Sequence, residues 1–141
     1  MARVLGLDVG EKRIGVALSD ATGMLASPLT IITQSSPTQA IQDILKIARE
    51  REVSRIIVGF PFSLDGSAGP QAQKVQAFID ALKAVTAIPI EARDERYTTM
   101  IAMAYKKESG KKKIDRNTRY DAMAAAIILQ AYLDEKKQLS F

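Results

Sequence analysis

The chain contains neither cysteine nor histidine. Without thiols there is no disulfide framework and no thiolate zinc site. Without imidazoles the Ser-His-Asp and Cys-His nucleophile systems are excluded, and histidine-bound zinc with them. Any chemistry falls to carboxylates, lysines, tyrosines and hydroxyls, and carboxylates favour hard, oxygen-seeking cations such as Mg²⁺ or Mn²⁺. Long apolar runs are missing too. None approaches the roughly 20 residues that a membrane span requires, and the opening MARVLGLDVG carries an Arg and an Asp, unlike a signal peptide. A cytoplasmic location is the resulting expectation. The length of 141 residues suits one domain, 1–141, built around one core.

Positive charge is in modest surplus, +4 overall. Its distribution is more telling than its size. From Arg96 to Arg119 the basic residues are Arg96, Lys106, Lys107, Lys111, Lys112, Lys113, Arg116 and Arg119, against only Glu108 and Asp115. Such a concentration suits an anionic polymer as partner, although a lysine run such as Lys111–Lys113 is also what a solvated turn looks like. Lys12 and Arg13 form a second, smaller basic group.

RVLGLDV (3–9) and RIGVALSD (13–20) read as strands joined by a short turn at Gly10-Glu11-Lys12. A third strand covers about 25–33, where Pro28 argues for an edge or a bulge. Ile41, Ile44, Leu45, Ile47 and Ala48 then recur at helical spacing after Ser36-Pro37. SRIIVGF (54–60) is a continuous apolar strand, as expected of one buried on both faces. A Gly/Pro-rich loop follows, then a helix over 70–86, a short strand at 88–92, a helix near 96–107 and a last helix over about 119–137. Three consecutive strands followed by alternating helices and strands predict an α/β fold. Its sheet is mixed and five-stranded, three strands antiparallel and the later ones parallel, with helices on both faces.

Three acids stand out by position. Asp8 lies inside a strand, where Asp is disfavoured; alternation puts it on one face with Val4 and Gly6, and the partner strand offers Gly15 and Ala17, leaving room beside a carboxylate. It could equally end the strand before the Gly10 turn. Asp121 heads the apolar stripe of the last helix, followed by Ala124, Ala125, Ile128, Leu129 and Tyr132. Thr118-x-x-Asp121 also reads as a capping box. Glu95 lies between a strand and a helix, at a strand end where α/β sheets place their sites. An acid in a first helical turn is also commonplace, and Asp94 beside it suits an N-cap. Asp20 is excluded by distance: with Asp8 opposite about residue 14, it lies roughly 20 Å along the strand. Asp65 reads as a turn residue before Gly66. The glycines at 59, 66 and 69 would let a backbone approach phosphate.

Taken together, LGLDVGEKRIGVALSD, IIVGFPFSLDG, DERYTT and DAMAAAIILQAYLD resemble the YqgF family, also called RuvX, in order and spacing and over essentially the whole chain. The resemblance implies an RNase H-like fold related to the RuvC resolvases. It also implies a nuclease role in processing the precursor of small-subunit ribosomal RNA, with Holliday junction resolution as the alternative. The family's acidic positions fall on Asp8, Glu95 and Asp121, which the resemblance makes catalytic residues and ligands of Mg²⁺ or Mn²⁺, cleaving to 5′-phosphate and 3′-hydroxyl ends. Many RNase H-like nucleases carry a further acid at the end of the strand corresponding to 54–60. Here that place reads Gly59-Phe60-Pro61, so three carboxylates suit one cation better than two. Lys12, Arg13, Arg96, Lys111, Lys112 and Lys113 become candidate contacts to a nucleic-acid backbone.

Two readings from other classes remain. One is a nucleic-acid-binding module without catalysis, against which the retention of all three acids argues. The other is an actin-like or sugar-kinase ATPase, suggested by Asp8-Val9-Gly10 in a hairpin; such enzymes close two domains on a nucleotide, and 141 residues make only one.

Overall fold

The computed structural model describes residues 3–61, 69–94 and 116–138, with the backbone alone at 116–121 and 138. β1 (Arg3–Val9) and β2 (Arg13–Ser19) pair antiparallel, from Leu5 opposite Leu18 to Val9 opposite Ile14. β3 (Ala26–Thr33) pairs antiparallel with β2, and its register shifts beside Pro28, between the partners of Val16 and Ala17. The strand is both an edge and bulged, the two situations that tolerate proline. β4 (Val53–Phe60) lies parallel to β1, and β5 (Ile90–Asp94) parallel to β4, giving the order β3-β2-β1-β4-β5. The mixed, five-stranded sheet expected from the sequence is present.

β1 is the central strand, and its alternation divides the molecule. Leu5, Leu7 and Val9 point to one face, where they meet Ile14, Val16 and Leu18 of β2 and Ile56, Val58 and Phe60 of β4. Among the described residues, two helices cover that face. In α1 (Pro37–Glu50) the Ser36 hydroxyl accepts from the Gln39 amide at 3.1 Å, Pro37 presets the first turn, and Ala40, Ile41, Ile44 and Ala48 are buried. α2 (Pro70–Lys83) starts from Gly69 and buries Ala72, Val75, Phe78, Ile79 and Leu82.

The last helix, α3 (Arg116–Gln138), covers the opposite face with Ala125, Ala126, Ile128, Leu129, Tyr132 and Leu133, packed on Ala17 and Ile57. Its alanines allow close approach. At Gly6 a Cβ would stand 2.8 Å from Leu129 Cβ and 3.1 Å from the Ala125 carbonyl oxygen, so strand and helix lie nearly backbone to backbone there.

Several boundaries differ from the sequence reading. α2 ends at Lys83, not 86, because its apolar stripe is exhausted at Leu82: Val85 beyond it is exposed, and Ala84 and Val85 form a turn. β5 runs two residues later than 88–92. Pro89 has no N–H to donate and only accepts, from the Ile56 amide at 2.9 Å, while pairing with β4 carries the strand on to Asp94. Thr118 lies inside α3, whose backbone is already helical at Arg116, so the Thr118–Asp121 capping box does not form a helix start. The helix expected near 96–107 lies outside the described residues.

Ile44 is fully buried between α1 and the sheet, on the face away from α3. Ile44→Ala is expected to lower unfolding free energy by about 2–5 kcal/mol in chemical denaturation. Folded protein should keep its activity below the transition, since the cavity opens on the far side of the sheet from Asp8.

Candidate functional site

β1, β4 and β5 run parallel and so end at one edge of the sheet, at Val9, Phe60 and Asp94. The β1–β2 turn and the starts of α1 and α2 lie at this edge, where an open α/β sheet gathers its functional groups. α3 is aimed at it too. Gln130 Oε1 accepts from the Ala26 amide at 2.9 Å, and Lys137 Nζ donates to the Met24 carbonyl oxygen at 2.7 Å. The later turns of α3 therefore lie toward the β2–β3 turn, and its N-terminal end toward the edge at Gly10.

Asp8 is half-buried, one alternation beyond Gly6 on the face that α3 covers. Its partner on β2 is Gly15. On the other side, the register of Leu7 with Val58 continues to Asp8 beside Gly59, and Gly59 pairs with Arg93 of β5. One row across the sheet thus reads Gly15, Asp8, Gly59, Arg93. The positions directly beside Asp8 on β2 and β4 are thus glycines, which carry no side chain, and an aspartate oxygen is the donor that Mg²⁺ or Mn²⁺ takes. Among the described residues no three acids come together; Glu95 and the side chain of Asp121 are outside that set. Glu95 follows directly on Asp94, the last residue of β5. The Asp121 backbone is helical, one turn before Ala125, whose carbonyl oxygen faces Gly6.

The turn after Asp8 is held from both sides. The Gly10 amide donates to the Arg13 carbonyl oxygen at 2.8 Å, and a Cβ on Gly10 would meet that same oxygen at 2.8 Å, so only glycine fits. Gln34 donates through Nε2 to the Gly10 carbonyl oxygen and through its amide to that of Lys12. From the first turn of α2, Gln71 Nε2 donates to the Val9 carbonyl oxygen at 3.2 Å, and Lys74 Nζ lies 3.0 Å from Glu11 Oε1. Sequence reasoning misses Gln34, Gln71 and Lys74, since an isolated polar residue far along the chain carries no periodic or motif signal. Lys12 is exposed on this turn and Arg13 half-buried at the start of β2; Arg96 and Lys111–Lys113 lie outside the described residues, as do Asp65 and Gly66.

Arg93 carries no such signal either. It pairs with Glu135 of α3, lies 5.6 Å from the centroid of the Tyr132 ring and stands 3.7 Å from Glu91 Oε2, a buried oxygen without a hydrogen-bond partner among the described residues. It ties the end of β5 to α3, two residues before Glu95.

A family model described as RuvX, Holliday junction resolvase, matches residues 2–135. The chain belongs to the RuvX family. Its relatives include two proteins named "Putative pre-16S rRNA nuclease". That of Roseiflexus sp. strain RS-1 is 47% identical over 135 residues, 96% of either chain. That of Chloroflexus aurantiacus is 45% identical over 134 residues, covering 95% of this chain and 88% of its own length. Among solved structures, RuvC of T. thermophilus in complex with a Holliday junction substrate superposes with a TM-score of 0.59 at 18% identity, over 97% of this chain and 96% of that one. The Holliday junction resolvase of fowlpox virus gives 0.56 at 14%, over 95% and 99%. At these identities the likeness is one of fold, and that fold is RNase H-like.

In this RuvX-family chain Asp20 has a separate task. Asp8 pairs with Gly15, one residue later than expected, which puts Asp20 five residues along β2, about 17 Å away at strand rise. There its carboxylate accepts from the Met24 amide at 2.8 Å, the Leu25 amide at 3.3 Å and the Thr22 hydroxyl at 2.9 Å. These bonds, the Met24 amide first and the Thr22 hydroxyl next, hold the Asp20 carboxyl below the ordinary aspartate value. A carboxyl depressed on folding stabilises its turn above the unfolded value, about 3.9, and loses that contribution as pH falls through the lower folded one. The Met24 and Leu25 amide resonances should therefore hold their positions down to about pH 4 and move only below it. Asp20→Ala should show the moved positions at every pH.

Proposed function

We propose that the chain is a metal-dependent nuclease, one RNase H-like domain over 1–141, that acts in the cytoplasm on structured RNA. Its substrate in this reading is the 5′ end of pre-16S rRNA, cut during ribosome biogenesis. Family membership makes it a hydrolase acting on nucleic acid. The observation that carries the reading is the position of Asp8, an acid on the α3 face of the central strand, flanked by Gly15 and Gly59, at the C-terminal edge of the sheet. Glu95 is the next residue in sequence after Asp94, where β5 ends, and Asp121 precedes Ala125 by one turn of α3.

In this reading Asp8, Glu95 and Asp121 are the catalytic carboxylates and hold Mg²⁺ or Mn²⁺. The cation, when bound, neutralises charge on the scissile phosphate and activates water for in-line attack. Asp8 is fixed by the strand pairing on both sides of it and by the clamped turn behind it. Lys12 and Arg13 on that turn, with Arg96 and Lys111–Lys113, hold the substrate backbone, which makes binding salt-dependent. Relatives at 45–47% identity carry an rRNA-processing name, which favours RNA as substrate; the family description favours four-way junction DNA as the second reading.

The test is one cleavage assay on both substrates, an RNA carrying the 5′ precursor sequence of 16S rRNA and a four-way DNA junction, with Mg²⁺ or Mn²⁺ and with chelator. Chelation should abolish cutting, and Asp8→Asn should lower it at least about 100-fold. Equal activity in wild type and Asp8→Asn would rule out the site. Binding without cleavage of either substrate would point to a non-catalytic module.

A further inference from the structure

α2 begins at the edge where Asp8 lies, and Gln71 in its first turn is bonded to the end of β1. Three residues on, Lys74 reaches Glu11 in the β1–β2 turn, next to Lys12 and Arg13. Nothing in the sequence links Lys74 to that basic pair; the fold does. Four charges thus share one corner, three positive and one negative.

The Lys74–Glu11 pair is 62% and 66% exposed. Exposed pairs contribute only about 0–1 kcal/mol, so the pair adds little to the fold and opens readily. A phosphate oxygen offers the ammonium a bond of the same kind, and backbone contacts also release condensed counterions. The carboxylate that holds Lys74 thus competes with phosphate for it.

We propose that Lys74 is a further contact to the nucleic-acid backbone, held over the β1–β2 turn by Glu11 and transferred to a phosphate when substrate arrives. The inference rests on the nuclease reading only in placing nucleic acid along this edge. Glu11 then acts as a brake: its carboxylate must give up Lys74 and stays beside the bound polyanion.

The two residues therefore have opposite effects, which a merely structural ion pair does not produce. The probes are a four-way DNA junction and a stem-loop RNA, bound to wild type, Lys74→Ala, Glu11→Gln and, as control, Lys83→Ala at the far end of α2. Fluorescence anisotropy is measured over about 50–200 mM KCl. Lys74→Ala should weaken binding several-fold and reduce the slope of log K against log salt by about 0.7–0.9, the value of one phosphate contact. Glu11→Gln should strengthen binding several-fold, and Lys83→Ala should match wild type. Lys74, Glu11 and Lys83 are all exposed, and thermal melts check that the variants stay folded.

Wild-type slope and affinity in Lys74→Ala, or weaker binding in Glu11→Gln, would overturn the inference. So would a loss in Lys83→Ala as large as that in Lys74→Ala. Asp8→Asn separates this result from the cleavage reading, since it should bind both probes while failing to cut. Absence of salt-dependent binding by wild type would remove the nucleic-acid reading itself, and this inference with it.

Discussion

In a sheet covered on both faces, each residue of the central strand β1 is directed to one helix-covered layer or the other. Leu5, Leu7 and Val9 go to the layer beneath α1 and α2; Val4, Gly6 and Asp8 go to the layer beneath α3. A slip of one residue would exchange the two sets. Burying each of the three apolar side chains contributes about 1.5–3 kcal/mol, so that exchange costs several kcal/mol before the carboxylate is counted. Hydrophobic burial on one face therefore decides where a charged group on the other face points.

The turn out of β1 is under the same discipline. The chain must reverse within three residues, and the reversal is pinned by Gly10, whose position over the Arg13 carbonyl oxygen admits no Cβ. Gln34 and Gln71 then bond the carbonyl oxygens of Gly10 and Val9 from two other elements. A turn bonded in this way moves little, and the carboxylate just before it is correspondingly well placed. At the opposite edge the β2–β3 turn is held by α3, through Lys137 and Gln130, and by its own acid. There Asp20 accepts local bonds from Thr22, Met24 and Leu25, about 17 Å along β2 from Asp8.

Local pattern makes part of this legible from the chain alone. RVLGLDV alternates so plainly that β1 has the bounds its sequence suggests, and RIGVALS nearly so. The apolar run at 54–60 identifies β4 as buried on both sides, and Pro28 marks the bulged edge strand. Other features need the assembled sheet. The start of β5 depends on which β4 amides need acceptors, so Ile88-Pro89 misplaces it by two residues. Thr-x-x-Asp is a capping pattern wherever it occurs, and nothing local says that the helix already runs at Arg116. Gly59 and Arg93 share the row of Asp8 only through parallel register between strands far apart in sequence. Only the resemblance of four segments to one family groups Asp8, Glu95 and Asp121, a step that spacing alone cannot take.

Charge balance at this edge explains why a cation belongs to the reading. Three helices start at or point toward the edge where β1 ends, so their partial positive charges are directed at it. Each such terminus favours a nearby anion by about 0.3–1 kcal/mol. Two carboxylates about 4 Å apart repel by roughly 4 kcal/mol at the effective dielectric of a protein surface. Helix termini would thus offset only part of the repulsion among the three acids of the proposed site. In the proposed cluster of Asp8, Glu95 and Asp121 a divalent ion would offset the rest. Among the described residues, Lys74 and Arg93 at this edge are bonded to Glu11 and Glu135. In the proposed site a bound cation would offset the acids, and the basic residues would then draw a polyanion to this edge.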